Sequence, residues 1–426
     1  MANACGVDFG TSNSTVGWVG PHACATSTGG ANSSLLLALE DGKPTLPSVV
    51  FFNADDDEVS YGRAALAGYL AGYEGRLMRS LKSLLGTSLI DGQTEVGGRA
   101  LPFRMLLAHF IGELKRRAER EAGREFTSAV FGRPVFFIDD SKQADQLAQD
   151  TLAGIAHAVG FKQVDFQSEP IAAAFDYESQ ISSEELVLIA DIGGGTSDFS
   201  LVRLAPERAA KRERRDDILA TGGVHIGGTD FDKYLSLSSV MPLLGYQSLL
   251  TNDSAIPSSY YFNLATWHTI NLAYTKKTWT QLADVARDAR EPAKLARLQR
   301  LIDERAGHWL AMKVEEGKIA LSADSSVPLV LDRLSPPENV ILQRSQFEEA
   351  IGHLVGSVEQ TVLKLLGDAG VGADAVDTVF FTGGSSGVRM LRERIGALLP
   401  NARKVEGDLF GSIGSGLALD AVRKFS

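Results

Sequence analysis

Asp191, the three glycines Gly193, Gly194 and Gly195, then Thr196 and Asp198 lie within LVLIADIGGGTSDFSLVRL, between two apolar runs. The apolar flanks read as β-strands and the glycines as the sharp turn joining them. Glycine lets backbone N–H groups close on a ligand, and such amide arrays attract anions. A carboxylate beside them would repel a bare phosphate, and a divalent cation removes the conflict. The chain repeats the pattern in GVDFGTSNSTVGWV, where Asp8 is followed by Gly10, Thr11, Ser12 and Asn13. Carboxylate, glycine and hydroxyls recur in one order, as expected of an internal duplication of one phosphate-holding hairpin. Two such hairpins facing each other would grip a polyphosphate with its metal between them. Either copy alone reads equally as an ordinary glycine-rich hairpin; the pair argues against that.

The elements around these turns alternate between strand and helix. Residues 1 to about 37 read as strands around the first hairpin. In the stretch from 39 to 104, TLPSVVFF is strand-like, and EGRLMRSLKSLLG spaces its apolar residues as a helix ending at Gly86. A helix over 105–120, a strand at SAVFGRPVFFI, a helix over 142–159 and a strand at QVDFQSEP follow. Such alternation marks α/β architecture. Beyond the glycine-rich LATGGVHIGGTDFD, residues 231–313 read as amphipathic helices broken by Pro242, Pro257 and Pro292. Then come a strand at SVPLVL, a helix over 346–366, and VDTVFFTGGSSGVRMLRERI, a buried strand running through Gly383 and Gly384 into a helix. That junction suits a phosphate, or the flat face of a base or sugar, and equally a tight turn with no ligand. In MKVEEGKIALSAD, Glu315, Lys318 and Ser322 stand at i, i+3 and i+7 on one helix face. They could bond a ribose and a base edge, or simply face water.

Composition narrows the class. The 426 residues leave room for several domains; 44% are hydrophobic and 22% charged, ordinary for a globular chain. A net charge of −11 disfavours nucleic acid or an anionic membrane as partner. The basic run RAAKRERRDD is interrupted by acidic residues and is expected to be a solvated loop. The two cysteines, Cys5 and Cys24, have no metal-ligand spacing, and Cys5 is expected to be a small buried residue. The start leaves no space for a signal peptide, and no apolar run is long enough to span a membrane, so a reducing cytoplasmic setting is expected.

The set DFGTSNST, SEPIAAAFDY, DIGGGTSDFS, VHIGGTDFD, VEEGKIALS and FFTGGSSGV resembles the nucleotide-binding domain of the DnaK family of heat-shock chaperones, in the actin-like ATPase superfamily, with most similarity to its truncated YegD-like branch. The resemblance runs from Gly6 to about Ala421. It implies an α/β fold of two duplicated core subdomains, each with an inserted subdomain, and a nucleotide cleft between the lobes. Lobe I would be 1–185 (core about 1–38 and 105–185, insertion about 39–104). Lobe II would be 186–426 (core about 186–230 and 314–426, helical insertion about 231–313).

The ligands it implies are ATP or ADP and Mg²⁺. Asp8 and Asp191 would hold the metal through its water shell. Gly10, Thr11, Ser12 and Asn13 would face Gly193, Gly194, Gly195 and Thr196 across the phosphates. Lys82, Glu169, Asp191 and Asp198 would be catalytic: Lys82 supports the γ-phosphate, Asp198 lies near the attacking water, and Glu169 links the site to lobe movement. Gly227, Gly228, Glu315, Lys318, Ser322, Gly383, Gly384, Ser385 and Asp408 complete the nucleotide contacts. By residue type alone, Lys82 reads as a solvated helix lysine, Glu169-Pro170 as a helix start and Asp198 as the end of a turn.

Two positions depart from the family. Ile319 and Gly387 stand where arginines commonly stack on or flank the base, so cation–π contact is lost and weaker or less selective nucleotide binding is expected. The sequence also stops soon after the last core helix, without the linker, peptide-binding domain and lid of the chaperones. The expected function is therefore a Mg²⁺-dependent ATPase acting as a conformational switch, with a non-catalytic nucleotide-sensing scaffold or a small-molecule kinase as alternatives. No protein partner or oligomeric state is indicated, and Trp267, Trp279 and Trp309 are expected in the core.

Overall fold

The first hairpin joins β1 (Ala4–Phe9) to β2 (Asn13–Gly17) antiparallel, with Phe9 opposite Ser14. β1 is buried along its whole length, so Asp8 is a carboxylate inside an apolar strand. The computed structural model describes residues 3–20, 35–54, 56, 58–139, 141–208, 211 and 214–425; Cys24 and part of the RAAKRERRDD run lie outside them, while Cys5 is buried in β1. After β3 (Leu46–Pro47) come β4 (Val49–Asn53), β5 (Val59–Tyr61), helix α1 (Gly62–Leu70) and β6 (Gly75–Arg79), which form a three-stranded sheet in the order β5-β4-β6.

The helix expected over residues 74–86 is not formed. Residues 75–79 instead pair antiparallel with β4, Ser80 takes a left-handed φ of 58°, and Leu81–Leu84 make one 3₁₀ turn. Leu77 packs with Val49 and Phe51, whereas Leu81, Leu84 and Leu85 join the main core. The helical spacing thus reflects two separate packing surfaces. Gly86 does take a positive φ, of 78°.

A short hairpin, β7 (Gln93–Val96) and β8 (Arg99–Pro102), leads into α2 (Phe103–Ala122). Leu106, Phe110, Ile111 and Leu114 recur at helical spacing and face the core, with the Phe110 ring 5.7 Å from that of Phe9. β9 (Ser128–Arg133), α3 (Lys142–Ala158) and β10 (Gln163–Ser168) add two strands parallel to β1, giving the sheet order β10-β9-β1-β2-β3. α4 (Glu169–Glu178) begins at once, Pro170 sitting in its first turn where no N–H is needed. The second hairpin then pairs β11 (Glu185–Ile192) with β12 (Ser197–Leu204), followed by β13 (Ile218–Val224).

Between β12 and β13 the charged run is not merely solvated. Arg214 is buried, its guanidinium meeting both Glu178 oxygens at 2.7 Å and Asp217 Oδ2 at 2.5 Å. The acidic residues that made the run look solvated include its buried partner Asp217.

The described chain divides into two compact units, and residues 228–356 with 387–390 form the second. It contains α5 (Gly228–Leu235), α6 (Ser259–Ala265), α7 (Lys276–Arg287), α8 (Pro292–Asp303), α9 (Gly307–Ala323) and the hairpin of β14 (Ser326–Leu331) with β15 (Glu338–Gln343). Trp267 and Trp309 are buried here, whereas Trp279 is exposed on α7. Among the described residues no helix is long and apolar enough to cross a membrane.

Helix α10 (Arg344–Ala369) returns the chain to the first unit, where β16 (Thr378–Thr382), α11 (Arg389–Leu398), β17 (Arg403–Glu406) and α12 (Ser412–Phe425) complete it. A 3₁₀ turn, Gly384–Gly387, separates β16 from α11. β16 and β17 lie parallel to β11, so the second large sheet runs β13-β12-β11-β16-β17. Reversed, the first reads β3-β2-β1-β9-β10. Each is an antiparallel triplet extended by two parallel strands, the topology expected of a duplication.

Candidate functional site

The two turns match residue for residue. With Phe9 opposite Ser14 and Ile192 opposite Ser197, residues 10–13 correspond to residues 193–196. They also meet. A Cβ placed on Gly194 would lie 2.5 Å from Ser12 Oγ, and one on Gly195 would lie 3.1 Å from Thr11 Oγ1. Gly227 backs the second turn, its Cβ position only 2.6 Å from Gly194 C and Gly195 N. In the first turn the Gly10 carbonyl accepts from Ser48 Oγ at 2.7 Å, and Ser48 N–H donates to the Ser12 carbonyl at 2.9 Å. In the second, Gly193 N–H donates to Thr196 O at 2.9 Å.

Beneath the turns the ionisable residues converge. Lys82 Nζ, on the 3₁₀ turn, donates to Glu169 Oε1 at 2.5 Å, and both side chains are buried. Asp8, Asp191 and Asp198 are buried at the hairpin strands, with Asp191 opposite Asp198 in the β11–β12 register. Burial first, then the charge of Glu169, pushes the Asp8 and Asp198 carboxyls up to about 7, against partial relief from Lys82. Asp191 is pushed well up by burial, by Glu169 and by the other two aspartates. Burial opposes the charged form of Lys82, but Glu169 and Asp8 outweigh it and raise the ammonium's pKa. Val135 N–H donates to Asp198 Oδ1 at 2.7 Å.

These residues fit a divalent cation held through water. Asp191 Oδ1 is buried with no hydrogen-bond partner among the described residues, a state that is costly unless a cation or ordered water meets it. Four buried carboxylates share one lysine, so the group lacks positive charge. Among the described residues no three His, Cys, Asp or Glu side chains are placed to cage an ion directly. Mg²⁺ commonly takes one or two carboxylates and keeps several waters.

The strip after β16 continues from this group. Gly383 has a φ of +78°, and its Cβ position is 2.4 Å from Ile192 O and 2.6 Å from Asp191 Oδ1, so glycine is required there for both conformation and space. Gly384 is exposed and Ser385 buried. Asp408 is exposed in the turn before α12, where its Oδ1 accepts Phe410 N–H at 3.1 Å.

The remaining nominated residues, Gly228, Glu315, Lys318 and Ser322, belong to the second unit. α9 carries the last three, as its spacing implied. Lys318 is buried, its Nζ 3.0 Å from Gly228 O and 2.7 Å from Asp232 Oδ1. Ile319 is 62% exposed beside it. Sequence reasoning missed Ser48 and Val135, whose contacts are long-range and carry no motif, and named no role for Asp232, the last residue of VHIGGTDFD. It also missed Gly132, where a Cβ would press on Glu169 Cγ at 3.2 Å.

A duplicated five-stranded sheet, with a carboxylate and a glycine turn at the head of each copy, is the actin-like ATPase fold. The family model described as Hsp70 protein matches residues 93–240 and 289–415, more than half of the chain, and the chain belongs to that family. Proteins of the family bind ATP or ADP, generally with Mg²⁺. The chain is 27% identical over 441 residues to a chaperone protein HscA homolog of Shewanella oneidensis, covering 98% of this chain and 58% of that protein. It is 27% identical over 394 residues to the chaperone protein DnaK of Thermosipho africanus, covering 92% of this chain and 54% of that protein. The chain thus spans rather more than half the length of these relatives.

Proposed function

We propose that this chain binds ATP with Mg²⁺ and hydrolyses it to ADP and phosphate, serving as a nucleotide-dependent conformational switch of the chaperone type. The observation that carries the reading is the buried group of Lys82, Glu169, Asp8, Asp191 and Asp198 beneath two facing, equivalent glycine turns.

In this reading Gly10 to Asn13 and Gly193 to Thr196 hold the phosphates from opposite sides with backbone amides and hydroxyls. Lys82, kept protonated by Glu169 and Asp8, offsets charge on the γ-phosphoryl oxygens. Glu169 and Asp198 accept hydrogen bonds from the attacking water and so orient it. Water oxygen bonds to the γ-phosphorus, the bond to the bridging oxygen breaks, ADP leaves with that electron pair, and the two protons of the water depart with the inorganic phosphate. Mg²⁺, when bound by Asp8 and Asp191 through water, supplies further positive charge to the phosphates. Gly227, Gly228, Glu315, Lys318, Ser322, Gly383, Gly384, Ser385 and Asp408 contact the rest of the nucleotide. Division into lobes 1–185 and 186–426, membership of the YegD-like branch and a cytoplasmic location belong to the same reading.

The test is phosphate release from Mg²⁺-ATP beside Lys82→Ala and Asp191→Ala, paired with direct ATP titration. Turnover in the parent chain that both substitutions abolish supports the reading. Binding without turnover makes the chain a nucleotide-sensing scaffold, and absence of binding overturns the reading altogether.

A further inference from the structure

A large aromatic side chain lies exposed at the edge of the glycine strip. Phe410 is 47% exposed, while most phenylalanines of this chain are buried. Its ring rests on Gly384, whose Cβ position would lie 2.8 Å from Phe410 Cε1 and 3.2 Å from Cζ. The contact exists only because residue 384 has no side chain. Asp408 fixes the turn that presents the ring, its Oδ1 accepting Phe410 N–H and its carbonyl accepting the N–H groups of Gly411 and Ser412 at 3.2 Å.

The position along the strip gives the ring its meaning. Gly383 abuts Asp191, where metal and phosphates would sit, and Gly384, the next residue of the chain, abuts the Phe410 ring, so two successive glycines join the carboxylate to the aromatic face. A nucleotide whose phosphates lie at Asp191 extends its nucleoside along the strip towards the ring. An aromatic face there matches a flat, uncharged base, since bases and aromatic rings stack without regard to base identity. It also bears on Gly387, in the same 3₁₀ turn as Gly384, which offers no side chain for stacking.

We infer that Phe410 is a nucleoside-recognition residue that stacks on the base of the bound nucleotide, so that this chain reads its ligand's base by a neutral aromatic face. The inference rests on the proposed nucleotide site. Stacking is sequence-tolerant, so ATP and GTP should bind with similar affinity.

The experiment is calorimetric titration of the full chain, with Mg²⁺, using ATP, GTP and inorganic tripolyphosphate as separate probes, for the parent and for Phe410→Ala and Phe410→Leu. Loss of a base stack is expected to weaken ATP and GTP roughly five- to a hundredfold in Phe410→Ala. Phe410→Leu, which keeps apolar bulk without a π face, should lose most of the same affinity. Tripolyphosphate should bind all three proteins alike, which also shows the variants folded. Equal ATP binding by parent and Phe410→Ala overturns the stacking role and leaves the nucleotide site standing. Equal loss of ATP and tripolyphosphate also overturns it, by making the ring a structural prop of the whole site. A parent chain that binds none of the probes overturns the nucleotide reading and this inference with it.

Discussion

Replacing Asp8 and Asp198 by asparagine should stabilise the ligand-free protein at neutral pH. Both carboxyls are raised from 3.8 to about 7, mainly by burial and next by the charge of Glu169. A group whose folded pKa lies above its unfolded value holds its proton more tightly in the folded chain. Its contribution is therefore complete below about 3.8 and is lost as pH rises through about 7. Asparagine keeps the shape and cannot ionise, so its advantage is smallest near pH 4 and reaches a plateau above pH 7. The gap between the two pKa values sets a ceiling of about 4 kcal/mol for each site, and coupling among the carboxylates makes the pair less than additive. Urea denaturation followed by circular dichroism at pH 4 to 8, with chelator and no nucleotide, measures the difference directly. Excess Mg²⁺ should then stabilise the parent at pH 7.5 and leave the double variant unmoved, since binding to the native state alone adds stability. A difference that does not change with pH, or variants less stable than the parent at pH 7, would refute the reasoning.

Other consequences are more local. Gly383→Ala must accommodate both a positive φ and a Cβ 2.4 Å from Ile192 O; the β16 turn should move off Asp191, and ATP affinity should fall at least tenfold with little change in circular dichroism. Arg214→Met leaves Glu178 buried without its bidentate partner at 2.7 Å, and removing one member of such a pair costs about 3–5 kcal/mol. Its melting temperature should drop by several degrees, and recover when Glu178→Gln is added, because the uncompensated charge is then gone.

What could be read from the sequence was local. The two hairpins were legible because each turn carries its chemistry within a few residues, and the order carboxylate, glycine, hydroxyl survives in both copies. The strand at 75–79 was not, because it forms by pairing with β4, and such tertiary pairing overrides an apolar spacing that mimics a helix. Lys82 was found only through family resemblance; its partner Glu169 lies 87 residues away, so spacing could not join them. Val135, 63 residues from Asp198, offers only a backbone N–H and so has no sequence signature. Arg214 was hidden in a charge run whose buried partner Glu178 stands 36 residues earlier.

The duplication is most informative where the copies differ. By register, Thr11 corresponds to Gly194, Ser12 to Gly195 and Thr15 to Asp198. The turns touch reciprocally, Ser12 at Gly194 and Thr11 at Gly195, as equivalent surfaces do across a two-fold axis. Strict symmetry would fail at that contact: hydroxyl side chains on both turns would collide, and glycine on both would leave them apart. One copy supplies bulk and hydroxyls, the other bare backbone, and the turns close only because they have diverged. The same divergence puts a second buried carboxylate, Asp198, on one strand pair and leaves Thr15 on the other. Buried carboxyl groups are therefore concentrated on the second hairpin, and the two halves of the paired turns are chemically distinct despite their common topology.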